Sequence, residues 1–196
     1  MLKAQQAQGR FPGMRTYSEH APKVNEPCAP GDCPHDRAMS ETKPIQIFVD
    51  ADACPVKDEV YRVAARYGLK VTVIANGGVR VPPSPMIELV IVDQGPDVAD
   101  DWIAERAQRG DIVVTADIPL AHRCLQAGAE VVGPTGKPFT QSSIGSALAQ
   151  RGIMEHLRST GAITGGPKPF APADRSRFLS ALDQVITRSL RARAAP

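Results

Sequence analysis

The sequence predicts an α/β fold of three layers, with a mostly parallel central sheet flanked by helices. Three observations carry that expectation. From Ile45 onward, segments with strand patterning alternate with segments of helical period. One segment, "DIVVTAD" at 111–117, is an unbroken apolar run of the kind that parallel sheets bury on both faces. Aspartates recur where the strands end, and in such folds the functional crevice lies outside the carboxyl ends of the strands.

The first strand is "IQIFVD", built on Ile45, Ile47, Phe48 and Val49 and stopped before Pro55. A helix over Asp58–Tyr67 places Val60, Val63, Ala64 and Tyr67 on one face and ends at Gly68. "LKVTVIAN" is the second strand, closed by Asn76-Gly77-Gly78. The proline-rich loop "VRVPPSP" leads to the third strand, "IELVIVD". A helix over Asp97–Arg109 buries Val98, Ala99, Trp102 and Ile103 and stops at Gly110. "DIVVTAD" follows, then the helix "IPLAHRCLQAG" with Pro119 in its first turn, then a short fifth strand, "AEVVG". After it the strands stop. Gln141–Leu157 reads as helix with a weak spot at Gly152, "TGAITGGPKPFAPADRS" as loop, and "RSRFLSALDQVITRSL" as a final amphipathic helix through Phe178, Leu182, Val185 and Ile186.

At 196 residues the chain suits one domain with a substantial core. We expect a single domain over 44–196 and a disordered leader over 1–43, which is polar, aperiodic and rich in Pro and Gly; Met14 or Met39 are alternative starts. A net charge of +2 implies no nucleic-acid-coated surface, though it leaves room for a local basic face. No run of 18 or more apolar residues exists, and the N-terminus has no signal-peptide core. Four scattered cysteines are not a disulfide framework, so reduced cytoplasmic thiols are the default. In "CAPGDCPHD", Cys28, Cys33 and His35 have zinc-ligand chemistry, but no second Cys/His pair follows at finger spacing.

The chemistry lies in the acids. Asp50 and Asp52 end the first strand two residues apart, so in an extended backbone they share a side and repel unless a cation lies between them. Asp93 ends the third strand, Asp97, Asp100 and Asp101 open the next helix, and Asp117 ends the fourth strand. If the first and fourth strands are neighbours, Asp50, Asp52, Asp97, Asp100 and Asp117 converge from three segments. Each has a plainer explanation. Asp97 and Asp117 fit helix caps, and Asp100 and Asp101 fit first-turn acids facing the helix dipole. Capping does not account for a strand-terminal Asp-x-Asp at the same end. Several carboxylates with no arginine among them suit Mg²⁺ or Mn²⁺, which take oxygen ligands and serve in-line phosphodiester hydrolysis.

Other residues carry a weaker case. Asn76 is first a turn residue, with phosphate binding as its functional alternative. Lys57 and Arg80 neighbour the crevice and suit either a phosphate backbone or plain solvent exposure. Cys54 lacks a partner histidine, which favours packing over nucleophilic chemistry, and His122 reads as a surface or half-buried residue.

"VDADACPVK", "GPDVADDWIAERA", "GDIVVTADIPLA" and "TGGPKPF" closely resemble the YaiI/YqxD family of bacterial proteins, over roughly residues 45–190. That family is similar to a branch of the PIN-like nuclease superfamily, so the resemblance implies a PIN-like sheet-and-helix fold acting on single-stranded RNA. It also implies three catalytic acids: Asp50, then Asp100 in "DDWIA", then Asp117 in "TAD", with Thr115 beside it as a substrate-binding residue. The usual pattern adds an acid soon after Thr-x-Asp. Here that stretch is "IPLAHR", leaving Asp52 and Asp97 as substitute ligands. Two other functions stay open. "FVDADAC" imitates a haloacid-dehalogenase phosphatase motif, with Asp50 as nucleophile and Asp52 as general acid, although Cys54 replaces its Thr. A non-catalytic module binding metal or RNA shares the same residues.

Overall fold

The computed structural model describes residues 43–52, 54–162 and 170–194. The leader with its Cys28/Cys33/His35 trio, and nearly all of "TGGPKPF", lie outside the described residues.

The elements run β1 (Gln46–Asp50), α1 (Lys57–Tyr67), β2 (Lys70–Ala75), β3 (Ile87–Ile91), α2 (Val98–Arg106), β4 (Ile112–Val114), α3 (Ile118–Gln126), β5 (Glu130–Val132), β6 (Pro138–Phe139), α4 (Gln141–Ser159) and α5 (Pro172–Ala194). They form one sheet of order β3-β2-β1-β4-β5-β6, parallel throughout except for the last pair. The sixth strand is a correction to the sequence reading, in which the strands stop at β5. At two residues β6 is too short to carry an alternation pattern, and it forms because Val131 and Val132 hold it across a turn. That turn packs against α5, and Gly136 (φ 79°) is its closest point. A Cβ there would come within 2.5–2.7 Å of the Arg177 and Phe178 backbone, so only glycine fits.

Alternation along the strands divides the core in two. Ile47, Val49, Val71, Val73, Ile112 and Val114 face α1 and α5, where Val60, Phe178, Leu182 and Ile186 are buried. Phe48, Ile74, Val113 and Val131 face the other way, onto Ala99, Ile103, Leu120, Cys124 and Ile144 of α2, α3 and α4. Two helical layers around one sheet make the expected three-layer architecture.

Boundaries moved where tertiary contacts outweighed local signals. α2 ends at Arg106, because Asp111 accepts the backbone N–H groups of Gln46 and Gln108 and redirects the chain before Gly110. On α2 only Ala99 and Ile103 are buried, while Val98 and Trp102 are half-buried, with Arg106 stacked 4.3 Å from the Trp102 ring. α4 runs unbroken through Gly152, started by a capping box between Thr140 and Ser143. No helix among the described residues is long and apolar enough to cross a membrane.

Candidate functional site

The chain order fixes where a site belongs. From β1 the connections run outward through β2 to β3, then return across the sheet to β4 on the other side of β1. The crevice at a reversal of this kind opens at the carboxyl ends of the two strands that flank it. β1 and β4 pair in register Val49↔Val114, so the next residues, Asp50 and Thr115, stand side by side.

Thr115, fully buried, donates its Oγ1–H to Asp50 Oδ2 at 2.9 Å. Thr115 Oγ1 in turn accepts the backbone N–H of Asp117 at 2.9 Å. Asp50 is itself only 5% exposed. Thr115 thus orients both carboxylates, one directly and one through its backbone. Asp117 is the N-cap of α3, its Oδ1 accepting from Leu120 N at 3.0 Å. The capping explanation therefore holds for one oxygen, and the other, Oδ2, lies 2.9 Å from Arg151 Nη1 of α4.

α2 brings two more acids. Asp97 holds its N-cap position with a left-handed backbone (φ 61°) and makes no side-chain cap bond, so capping does not explain it. Asp100 lies half-buried one turn on. Burial pushes its carboxyl up to about 6, and the charges of Asp117, Asp50 and Asp97 push the same way, with Arg123 opposing weakly. Asp101 faces outward, paired with Arg123 at 2.7 Å.

Asp52 leaves this group. It is exposed, and its Oδ2 accepts the Asn76 N–H at 3.2 Å, beyond the end of β2. β1 ends at Asp50 and the chain bends at Ala51 and Asp52, so the two acids do not sit in one extended strand. Asn76 has its Oδ1 buried with no hydrogen-bond partner among the described residues. Lys57 opens α1 and donates to Ala51 O at 3.3 Å, close to the end of β1. Arg80 is exposed on the loop leaving β2. Cys54 is 4% exposed, and burial pushes its thiol up to about 11, which fits packing. His122 is half-buried on α3.

One arginine corrects the picture of an acidic group with none: Arg151 from α4 pairs with Asp117, while Arg123 from α3 pairs with Asp101 just outside the group. Arg151 is 34 residues from Asp117, and nothing in the local sequence links them.

Among the described residues, no three His, Cys, Asp or Glu side chains stand together as a ready-made metal cage. Asp50, Asp97, Asp100 and Asp117 are the carboxylates that could take part in holding a hydrated Mg²⁺, which commonly takes one or two carboxylates and keeps its other waters.

Fold and site together define a three-layer α/β protein with aspartates gathered at the carboxyl ends of the strands at its switch point. The sequence model of the YaiI/YqxD family, described as "Uncharacterized BCR", matches residues 48–188, and the chain belongs to that family. A UPF0178 protein of Rhodopseudomonas palustris (strain BisB5) is 60% identical over 158 residues, covering 81% of this chain and 96% of the relative. UPF0178 proteins of Nitrobacter winogradskyi and Caulobacter sp. (strain K31) are 62% and 63% identical, covering 77% and 74% of this chain and 96% of each relative. No solved structure matches.

Proposed function

We propose that the protein is a metal-dependent phosphodiesterase acting on single-stranded RNA, with Asp50, Asp100 and Asp117 as its catalytic acids. What supports this reading is the adjacency of the β1 and β4 ends, where Thr115 ties Asp50 to Asp117, together with the burial and neighbouring carboxylates that push the Asp100 carboxyl up. Such a concentration of negative charge destabilises the fold and suits a cationic cofactor. The resemblance to PIN-like nucleases leads to the same three acids.

Asp50, Asp100 and Asp117 would hold Mg²⁺ or Mn²⁺, with Asp97 at the margin; Asp52, bound to Asn76, belongs to the rim. When bound, the ion would supply charge neutralisation for a phosphate and a more acidic water. The chain's own residues supply the rest. Thr115 fixes the Asp50 carboxylate and keeps its Oδ2 engaged. Lys57 and Arg80 offer positive charge to a phosphate backbone on the β1–β2 side.

The test is calorimetric titration of Mn²⁺ into wild-type protein and the Asp50→Asn/Asp117→Asn double variant, followed by cleavage of a labelled single-stranded RNA pool. Asparagine still caps α3, so the variant should fold. Loss of binding and of metal-dependent cleavage together is the expected result. Binding without cleavage would point to a non-catalytic module, and no binding would return the acids to structural roles.

A further inference from the structure

The sheet has two edges, and only one of them is protected. β6 is two residues long and begins on Pro138, so it offers a neighbouring strand almost nothing to pair with. β3, at the opposite edge, runs Ile87-Glu88-Leu89-Val90-Ile91 with no proline or lysine and no interruption of its register with β2. Two of the three exposed large apolar side chains among the described residues lie on or beside it, Met86 at 37% and Ile91 at 63% exposure.

The bonds to β2 decide which backbone groups of β3 remain. Met86 O accepts the Val71 N–H, and the Val92 N–H donates to Ala75 O. Backbone groups alternate in direction along a strand, so the even-numbered residues face β2 and Ile87, Leu89 and Ile91 turn theirs outward. The Ile87 N–H is taken by Ser84 O in the preceding turn. The N–H groups of Leu89 and Ile91 and the carbonyls of Ile87, Leu89 and Ile91 therefore point away from the sheet.

We propose that β3 pairs with β3 of a second copy of this chain, antiparallel about a two-fold axis at Leu89, so that two six-stranded sheets become one. In that register the two Leu89 residues exchange both bonds, and each Ile91 N–H meets the Ile87 carbonyl of the other copy. On one face Leu89 stands against Leu89 and Ile91 against Ile87, which covers the exposed Ile91 side chain. On the other face Glu88 stands opposite Val90, and its charge is already met by Lys70 at 2.7 Å. An axis at Glu88 would instead set two carboxylates directly against each other. The occupant is a second copy because the edge complements itself in backbone, apolar face and charge. Residues 1–42 hold no apolar run that would supply the strand in its place.

Two lysines one residue apart read the register. Ile91→Lys sets a charge against Ile87 of the other copy, twice per dimer, and should weaken the dimer at least about tenfold in Kd. Val90→Lys sets its charge opposite Glu88 and should stay within about threefold of wild type, with an affinity that falls as salt is added. Sedimentation equilibrium of the full chain over a concentration series gives the constants, with circular dichroism to check each fold. Amide hydrogen exchange of the wild type needs no substitution: the Leu89 and Ile91 N–H groups should exchange more slowly as concentration rises. A wild-type chain that stays monomeric would overturn the pairing. So would a dimer that Ile91→Lys leaves unchanged, or one whose Leu89 and Ile91 amides gain no protection, since its interface then lies elsewhere. A dimer weakened equally by both lysines would overturn the Leu89 register and the pairing built on it.

Discussion

Asp100→Asn should stabilise the metal-free protein, and only above the acid range. The carboxyl moves from an ordinary 3.8 to about 6. A rise of about two units corresponds to roughly 3 kcal/mol at 1.36 kcal/mol per unit, an upper bound for a buried group. Asp100 is only half-buried, so screening reduces the effect to about 1–2 kcal/mol. The sign follows from the direction of the shift. An acid whose folded value is raised favours the fold while protonated. That contribution is fully present below about 3.8 and is lost as the pH rises through about 6. Urea denaturation with a chelator should therefore show the variant equal to wild type at about pH 4 and about 1–2 kcal/mol more stable at about pH 7.5. In thermal melts the gain corresponds to about 2–8 °C for a domain of this size. Adding Mn²⁺ should raise the wild type and leave the variant nearly unmoved. A variant that is neutral or destabilised at both pH values would refute the claim that these carboxylates load charge onto Asp100.

Two further outcomes test the local structure. Thr115→Val removes the donor to buried Asp50 and the acceptor for the Asp117 N–H, and should cost about 1–3 kcal/mol in denaturation, with Thr115→Ser retaining most of it; equal stability of the valine variant would remove Thr115 from its positioning role. Cys54 and Cys124, pushed up to about 11 and about 12 by burial, should resist a thiol reagent at neutral pH in a Cys28→Ser/Cys33→Ser background and react on unfolding, so native labelling at either would contradict their packing.

Much of the fold was legible because its signals are local. Alternating apolar segments, Gly68 closing α1 and Asp117 opening α3 each depend on neighbours within a few residues, and the order of the first eight elements follows from them. The switch point could be inferred as well, since acids at successive strand ends belong to one edge once the strands are parallel. Other features depend on residues that meet only in three dimensions. β6 needs its partner β5, and the early end of α2 needs the Asp111 carboxylate beneath β1. The spacing of Asp50 and Asp52 suggested a shared cation, but the backbone leaves the strand between them and each finds a separate hydrogen bond.

The sequence by itself determined the layers, the order of the first five strands and which acids end them, because periodicity and strand termination are written in adjacent residues. Only the tertiary structure decided which acids act together, separating Asp52 from Asp50, setting Asp97 and Asp100 against Asp117, and delivering Arg151 from a helix 34 residues away. Charge interactions depend on distance through space and on burial, and neither is fixed until the helices have packed onto the sheet.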